Sequence, residues 1–259
     1  MLITVVSGKA APGVTSTTWA FALSWPGSVL AVDADPAGGD MAAGLLLGRV
    51  QVDHGLLSWS AAARRASAME AATMFAGHVV VLPEAQHVWV MPGFQNAAQA
   101  AAMDAGGWDG LARALERAGP AAARDVLVDC GRLGDGSCWP VIRAADRVVL
   151  VCRRSGRSIH AARNAAALLR ARLGDLTSVS LLVIDDAGPY EARAIAGELA
   201  VPLLGQLPGD RTAAEVLSDG AAAGVRGVAR SRLLKAARSL AGQLAQPAPA
   251  AAMQVGAAR

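Results

Sequence analysis

Residues Ser7 to Thr18 read S-G-K-A-A-P-G-V-T-S-T-T, between an apolar strand, Leu2 to Val6, and an apolar helix predicted from about Ser16 to Ser24. A glycine-containing turn in that place must carry the chain from strand to helix within a few residues. It leaves the first N–H groups of the helix without intrahelical partners, facing whatever lies beyond the strand. Such a turn suits phosphate. In the form G-x-x-x-x-G-K-[ST] the backbone amides wrap the phosphates, a lysine reaches the terminal ones and a hydroxyl ligates magnesium. Gly8, Gly13 and Thr15 match that spacing, with Ser16 following. Position 14 does not: it is Val14, and the nearest cation is Lys9, directly after the first glycine.

Of the 24 basic residues in the chain only Lys9 and Lys235 are lysines. A compact ammonium fits a crowded glycine turn where a broad guanidinium fork fits poorly. Lys9 is therefore a candidate phosphate contact, and a solvated loop lysine is the alternative.

Further along, short apolar runs recur at Ser28 to Val32, Val79 to Leu82, Val88 to Met91, Asp125 to Val128, Arg147 to Cys152, Ser180 to Ile184 and Pro202 to Leu207. Alanine-rich helical stretches lie between them, among them Ala97 to Ala118, Ser158 to Leu173 and Tyr190 to Leu199. Continuous apolar strands alternating with helices predict an α/β fold: a three-layer, doubly wound, mostly parallel sheet with helices on both faces. Ligands in such a fold sit beyond the carboxyl ends of the strands.

The chain of 259 residues fits one domain, expected over residues 1–245. The stretch from Gln246 to Arg259, rich in Ala, Pro, Gln and Gly without periodicity, predicts a disordered tail. Three cysteines, Cys130, Cys138 and Cys152, lack metal-type spacing and point to a reducing cytoplasm rather than a disulfide framework. The first residues carry no basic region of the signal-peptide kind. Pro26 and Gly27 break the best candidate for the roughly 18 apolar residues that span a bilayer. A soluble, cytoplasmic protein is expected. The net charge of +3 permits an acidic partner without demanding one.

Two further segments bring carboxylates to strand ends. The second strand runs into Asp33-Ala34-Asp35-Pro36, whose aspartates can flank a magnesium ion and a water near a γ-phosphate. The plainer role for them is to cap the following turn. The run D-V-L-V-D-C-G from Asp125 ends an apolar strand in Asp129, the form of a Walker B strand whose aspartate holds magnesium through water; a purely structural aspartate is the alternative.

In this order the segments resemble the ParA/MinD family of deviant Walker A ATPases. That family's loop reads K-G-G-x-G-K-[ST]-T, against K-A-A-P-G-V-T-S-T from Lys9 here, so Lys9 falls on the signature lysine. The resemblance implies that Lys9 reaches phosphates, often those of a partner subunit in an ATP-bound sandwich dimer. It makes Asp35 the residue tied to the attacking water, and Thr15, Asp33 and Asp129 the magnesium set. Gly8, Lys9, Gly13, Thr15 and Ser16 would hold ATP. Pro208, in V-P-L-L-G-Q-L-P-G-D from Val201, would lie near the adenine. The implied cofactors are ATP and Mg2+.

Three departures bear on activity. Val14 removes the ordinary Walker lysine, Ala10 and Ala11 replace loop glycines, and Asp185 stands where the family often has an adenine-binding asparagine. Losing a charged hydrogen bond to phosphate typically costs about 1.5–3 kcal/mol, which binding can survive better than hydrolysis. The A-P-G-V-T-S-T loop also resembles the S-P-G-V-T-T-T loop of small MinD-like proteins of high-GC actinobacteria. TadZ/CpaE proteins, which position secretion or pilus machinery, have atypical loops as well.

The resemblance implies a dimerising switch ATPase that positions a chromosome, plasmid or envelope machine. The alternative is a pseudo-ATPase scaffold acting through protein contacts, with a metabolic enzyme of the dethiobiotin-synthetase kind ranking third. A last helix, about Ala229 to Leu244, carries an apolar stripe of Leu233, Ala237, Leu240 and Leu244 beside Arg226, Arg230, Lys235 and Arg238. It is either a core helix with a solvated basic face or a surface for nonspecific DNA or a protein adaptor, with a membrane less favoured.

Overall fold

A computed structural model describes residues 1–9, 13–220 and 224–246. The elements are β1 (Leu2–Ser7), α1 (Val14–Ser24), β2 (Val29–Asp33), α2 (Leu56–Ala63), α3 (Ala68–Met74), a 3-10 turn (Phe75–His78), β3 (Val80–Val81) and β4 (Val88–Met91). Then follow α4 (Ala97–Ala101), α5 (Ala105–Ala121), β5 (Asp125–Arg132), α6 (Trp139–Ala144), β6 (Arg147–Arg153) and α7 (Gly156–Leu173). The chain continues through β7 (Val179–Asp185), α8 (Ala192–Leu199), β8 (Leu203–Pro208), α9 (Arg211–Asp219), α10 (Gly224–Val228) and α11 (Arg232–Leu244).

The eight strands form one sheet in the order β3-β4-β2-β5-β1-β6-β7-β8. All pairings are parallel except that of the two-residue edge strand β3 with β4. Strand side chains alternate between faces, so β1 gives Leu2 and Val6 to one core and Ile3 and Val5 to the other. The first core is closed by residues of α2 to α8, the second by α1 and α9 to α11. The predicted three-layer α/β architecture is the observed one.

Register brings the polar strand ends together. Asp33 lies level with Asp129 on the adjacent strand, Val5 is level with Asp129 on its other side, and Ser7 is level with Arg132. Strand β5 runs on to Arg132, past the predicted end at Val128. The predicted helix Ala97 to Ala118 is two helices, because Asn96 and Asp104 each accept a backbone N–H three residues ahead and start a helix. Ser231 likewise caps α11, which begins at Arg232 and not at Ala229. Helices α2, α3, α6, α9 and α10 were not among those named from the sequence; they are five to nine residues long, too short for a clear helical period. The tail expected from Gln246 to Arg259 lies, past Gln246 itself, outside the described residues, as do Ala10, Ala11 and Pro12 of the loop. Among the described residues no helix is long and apolar enough to cross a membrane.

Candidate phosphate-binding cleft

β1 delivers the turn and α1 receives it. Ser7 Oγ donates to the Lys9 carbonyl over 2.9 Å, closing the start of the turn. A β-carbon on Gly8 would stand 2.1 Å from the Ala161 carbonyl oxygen, so only glycine lets the turn pass α7. Gly13 caps α1 in the left-handed region, φ 94° and ψ 38°, which also favours glycine. No side chain caps this helix start. Its free amides, with the positive end of the helix dipole, face a cleft of about 880 Å³. Thr15 and Ser16 line that cleft with Gly13, and Asp35, Arg132 and Arg153 face them.

A second hollow of about 410 Å³, lined by Ile184, Pro208, Gly209 and Leu233 among others, shares Gly13, Ser16, Arg153 and Ser218 with the cleft. The two hollows adjoin along those residues and together make a bent cavity, whose second arm sets Ile184, Pro208 and Leu233 beside Asp186, Asp210, Arg211 and Glu215. A nucleotide laid along it would set its phosphates at the α1 end and its flat base against the apolar side chains of the second arm.

The carboxylates divide by environment. Asp33 is buried, and its oxygens accept the Met41 amide at 3.0 Å and the Asp35 amide at 3.4 Å. β-Carbons on Gly39 or Gly93 would fall 2.0 and 2.7 Å from its carboxyl group, so two backbone segments close over it. Burial first, then the neighbouring Asp129, hold its carboxyl well above the usual range. Through these two amides Asp33 holds the turn, and like Asp129 it sits behind the cleft wall.

Asp129 is also buried, but differently used. Its Oδ1 accepts the Gly131 amide at 2.9 Å, while Oδ2 is buried without a hydrogen-bond partner. Burial pushes its carboxyl up to about 7. The Thr15 hydroxyl is near enough to oppose that rise in part, though it gives Oδ2 no well-formed hydrogen bond. An orphaned carboxylate oxygen beside a hydroxyl fits the outer shell of a magnesium ion, which keeps its waters and takes few protein ligands. Among the described residues no group of three or more acidic, His or Cys side chains is placed to hold a metal ion.

Asp35 is half-buried at the cleft wall. Its Oδ1 accepts the Ala37 amide at 2.8 Å, and burial raises its carboxyl while the Arg132 charge opposes the rise.

Lys9 is exposed and stands outside the residues that line the cleft. Val14 is 6% exposed, belongs to the second core with Ile3, Val5 and Trp19, and also lies at the wall of the cleft. Pro208 lines the apolar hollow; Asp185 pairs instead with Arg154, and the next residue, Asp186, reaches the hollow with Oδ2 3.1 Å from Arg153. Sequence reasoning missed Arg132 and Arg153. Their signal was present, since each is the first basic residue after an apolar strand whose end faces the turn, but the predicted strands stopped short of both.

No protein-family model and no curated protein matches this sequence. Solved structures share its fold. MinD from Pyrococcus horikoshii, complexed with Mg-ADP, superposes with a TM-score of 0.71 at 19% identity, covering 95% of this chain and 96% of that one. A ParA family ATPase from Chlorobium tepidum gives 0.70 at 18%, covering 93% and 98%. McdA from Cyanothece, in an ATP complex, gives 0.67 at 17%, covering 93% and 96%. The architecture of this chain is thus that of ParA and MinD ATPases over nearly its whole described length.

Proposed function

We propose that this chain is a ParA/MinD-like switch ATPase that binds MgATP in the bent cavity, dimerises when loaded and hydrolyses slowly. The observation that carries this is a helix start bearing Thr15 and Ser16 on the cleft wall, with the buried, partnerless Oδ2 of Asp129 directly behind the Thr15 hydroxyl. The amides of α1 would bind phosphate oxygens, Thr15 and Asp129 would hold the magnesium shell, and Pro208 would lie against the base. Bound magnesium would supply charge neutralisation between the phosphates. Asp35, on the wall facing Thr15, would orient the attacking water, and Lys9, exposed at the rim, would reach the phosphates of a partner subunit. The Mg-ADP held by MinD and the ATP held by McdA support the same use of the shared fold.

The surface partner in this reading is nonspecific DNA or a protein adaptor, in the cytoplasm. Helix α11 buries Leu233, Leu234, Ala237, Leu240, Ala241 and Leu244, so it keeps no apolar face for a bilayer. The cargo would be a chromosome, a plasmid or an envelope or pilus machine. A second reading, a pseudo-ATPase scaffold, draws support from Val14, whose burial in the core leaves the Walker lysine position without a cation.

Titrating labelled ATP with magnesium against wild type and Thr15→Ala tests the site. Clear loss of affinity in the variant is expected, and equal binding by both proteins overturns the site. Phosphate release then separates the readings: measurable turnover that depends on Asp35 supports the switch, and binding without turnover supports the scaffold.

A further inference from the structure

The cleft has no lysine at position 14, yet it is not without positive charge. Among the described residues that line it, the cations are Arg132 and Arg153, set against Asp35, Asp40 and Asp135. We infer that the phosphate charge is met from the strand ends, by Arg132 at the end of β5 and Arg153 at the end of β6, in place of a lysine at position 14. This rests on the nucleotide reading above and names the residues on which it depends.

Placement favours Arg132 most. It is level with Ser7, the residue that opens the turn, and the Leu133 amide donates to the Ser7 carbonyl over 2.8 Å, fixing the strand end beside the loop. Gly131, at φ +61°, turns the backbone over the Asp35 carboxyl, and Arg132 follows it into the cleft. Its side chain is exposed and makes no hydrogen bond or ion pair with any described residue, while its charge is felt by Asp35. A guanidinium in such a place is set to take a phosphate, whose oxygens match its planar fork.

Arg153 approaches from the other side. It lines both the cleft and the apolar hollow, and Asp186 tethers its guanidinium at their junction. A cation there lies along the path from base to phosphates. Position 14 stands at the cleft wall but carries valine, largely buried with the second core, so it brings no charge there.

Affinities for ATP, ADP and adenosine, measured with magnesium by calorimetry, test this in wild type, Arg132→Gln, Arg132→Lys, Arg153→Gln and the double glutamine variant. Arg132→Gln is expected to weaken ATP by about tenfold or more and ADP by less, leaving adenosine unchanged, because a charged hydrogen bond to phosphate is worth that much. Arg132→Lys should recover part of the loss, and the double variant should lose further. Unchanged adenosine binding also shows that the variants are folded; if Arg153→Gln fails that check, the Arg132 pair decides. Wild type that binds ATP no better than Arg132→Gln and the double variant overturns the arginine assignment and leaves the nucleotide site standing. Wild type that binds no ATP overturns the nucleotide reading and this inference with it.

Discussion

Gly131 lies against Asp35 so closely that a β-carbon at residue 131 would stand 2.1 Å from Asp35 Oδ2. The same glycine adopts φ +61°, and its amide donates to Asp129 Oδ1. One backbone unit therefore sets the distance between the two carboxylates that the proposed mechanism uses, Asp35 for water and Asp129 for magnesium.

Gly131→Ala should cost about 1–2 kcal/mol for the left-handed backbone alone, with more from the contact with Asp35. Asp35 would be pushed from its place, so phosphate release should fall toward that of Asp35→Ala while ATP still binds. A double-mutant cycle with Asp35→Ala checks this, since removing the carboxylate relieves the contact. The two stability losses should then be non-additive in chemical unfolding; strict additivity would place the cost elsewhere.

Val14→Lys carries two opposed expectations. A lysine there would supply the charge that the loop lacks and should tighten ATP binding. Val14 is also 6% exposed and part of the second core, so the substitution removes buried apolar contact even as its ammonium reaches into the cleft. The unfolding midpoint should fall. ATP affinity should rise little if Arg132 and Arg153 already supply the charge, and by tenfold or more if they do not.

Lys9→Ala should act on association more than on binding. Lys9 is exposed and outside the cleft lining, so in a single chain it has little hold on nucleotide. Sedimentation with MgATP should show the wild type and Lys9→Arg shifting toward dimer further than Lys9→Ala. An unchanged distribution in Lys9→Ala would return this residue to a solvated loop lysine.

The fold was legible because its signals are local. Unbroken apolar strands and alanine-rich helices alternate along the chain, and a sheet covered on both faces is what such strands require. Much of the cleft was legible too: Gly13, Thr15, Ser16, Asp35 and Pro208 all reach the bent cavity. Asp33 was harder, since its role depends on Met41 folding back to donate its amide and on Gly39 and Gly93 closing over the carboxyl. Arg132 and Arg153 were missed because each lies at the last residue of its strand, and strand ends are where hydrophobic pattern gives least guidance.

Stability should fall with rising pH in the absence of nucleotide and magnesium. Asp129 is raised to about 7 by burial, and Asp33 is raised for the same reason with Asp129 adding to it. An acid whose folded pKa exceeds its unfolded value holds extra protons in the native state, so stability declines as pH rises from about 4 toward 7. Thermal unfolding should therefore occur at a higher temperature at pH 5 than at pH 7.5. Asp129→Asn should reduce the slope, leaving the share from Asp33, and an unchanged slope would mean that Asp129 is already ionised in the folded chain. Added magnesium with ATP should stabilise more at pH 7.5 than at pH 5, because metal and proton compete for one carboxylate.

The basic face of the last described helices is the place to look for DNA. Arg226 on α10, Arg230 in the turn that follows, and Arg232, Lys235 and Arg238 on α11 are all exposed, while the apolar stripe of α11 is in the core. The stripe thus behaves as an ordinary packing face, against α1 and the sheet, and leaves a cationic surface outside it. Several exposed cations on one ridge can neutralise several phosphates, each releasing counterions, so affinity for duplex should fall steeply between 50 and about 200 mM salt. Binding to nonspecific duplex with MgATP should weaken on Arg230→Glu and on Arg238→Glu without a change in the unfolding midpoint, since neither side chain is part of the core. Retained binding in both variants would move the DNA surface elsewhere on the chain. No binding by wild type at low salt would leave the ridge as solvated charge and make a protein adaptor the partner to seek.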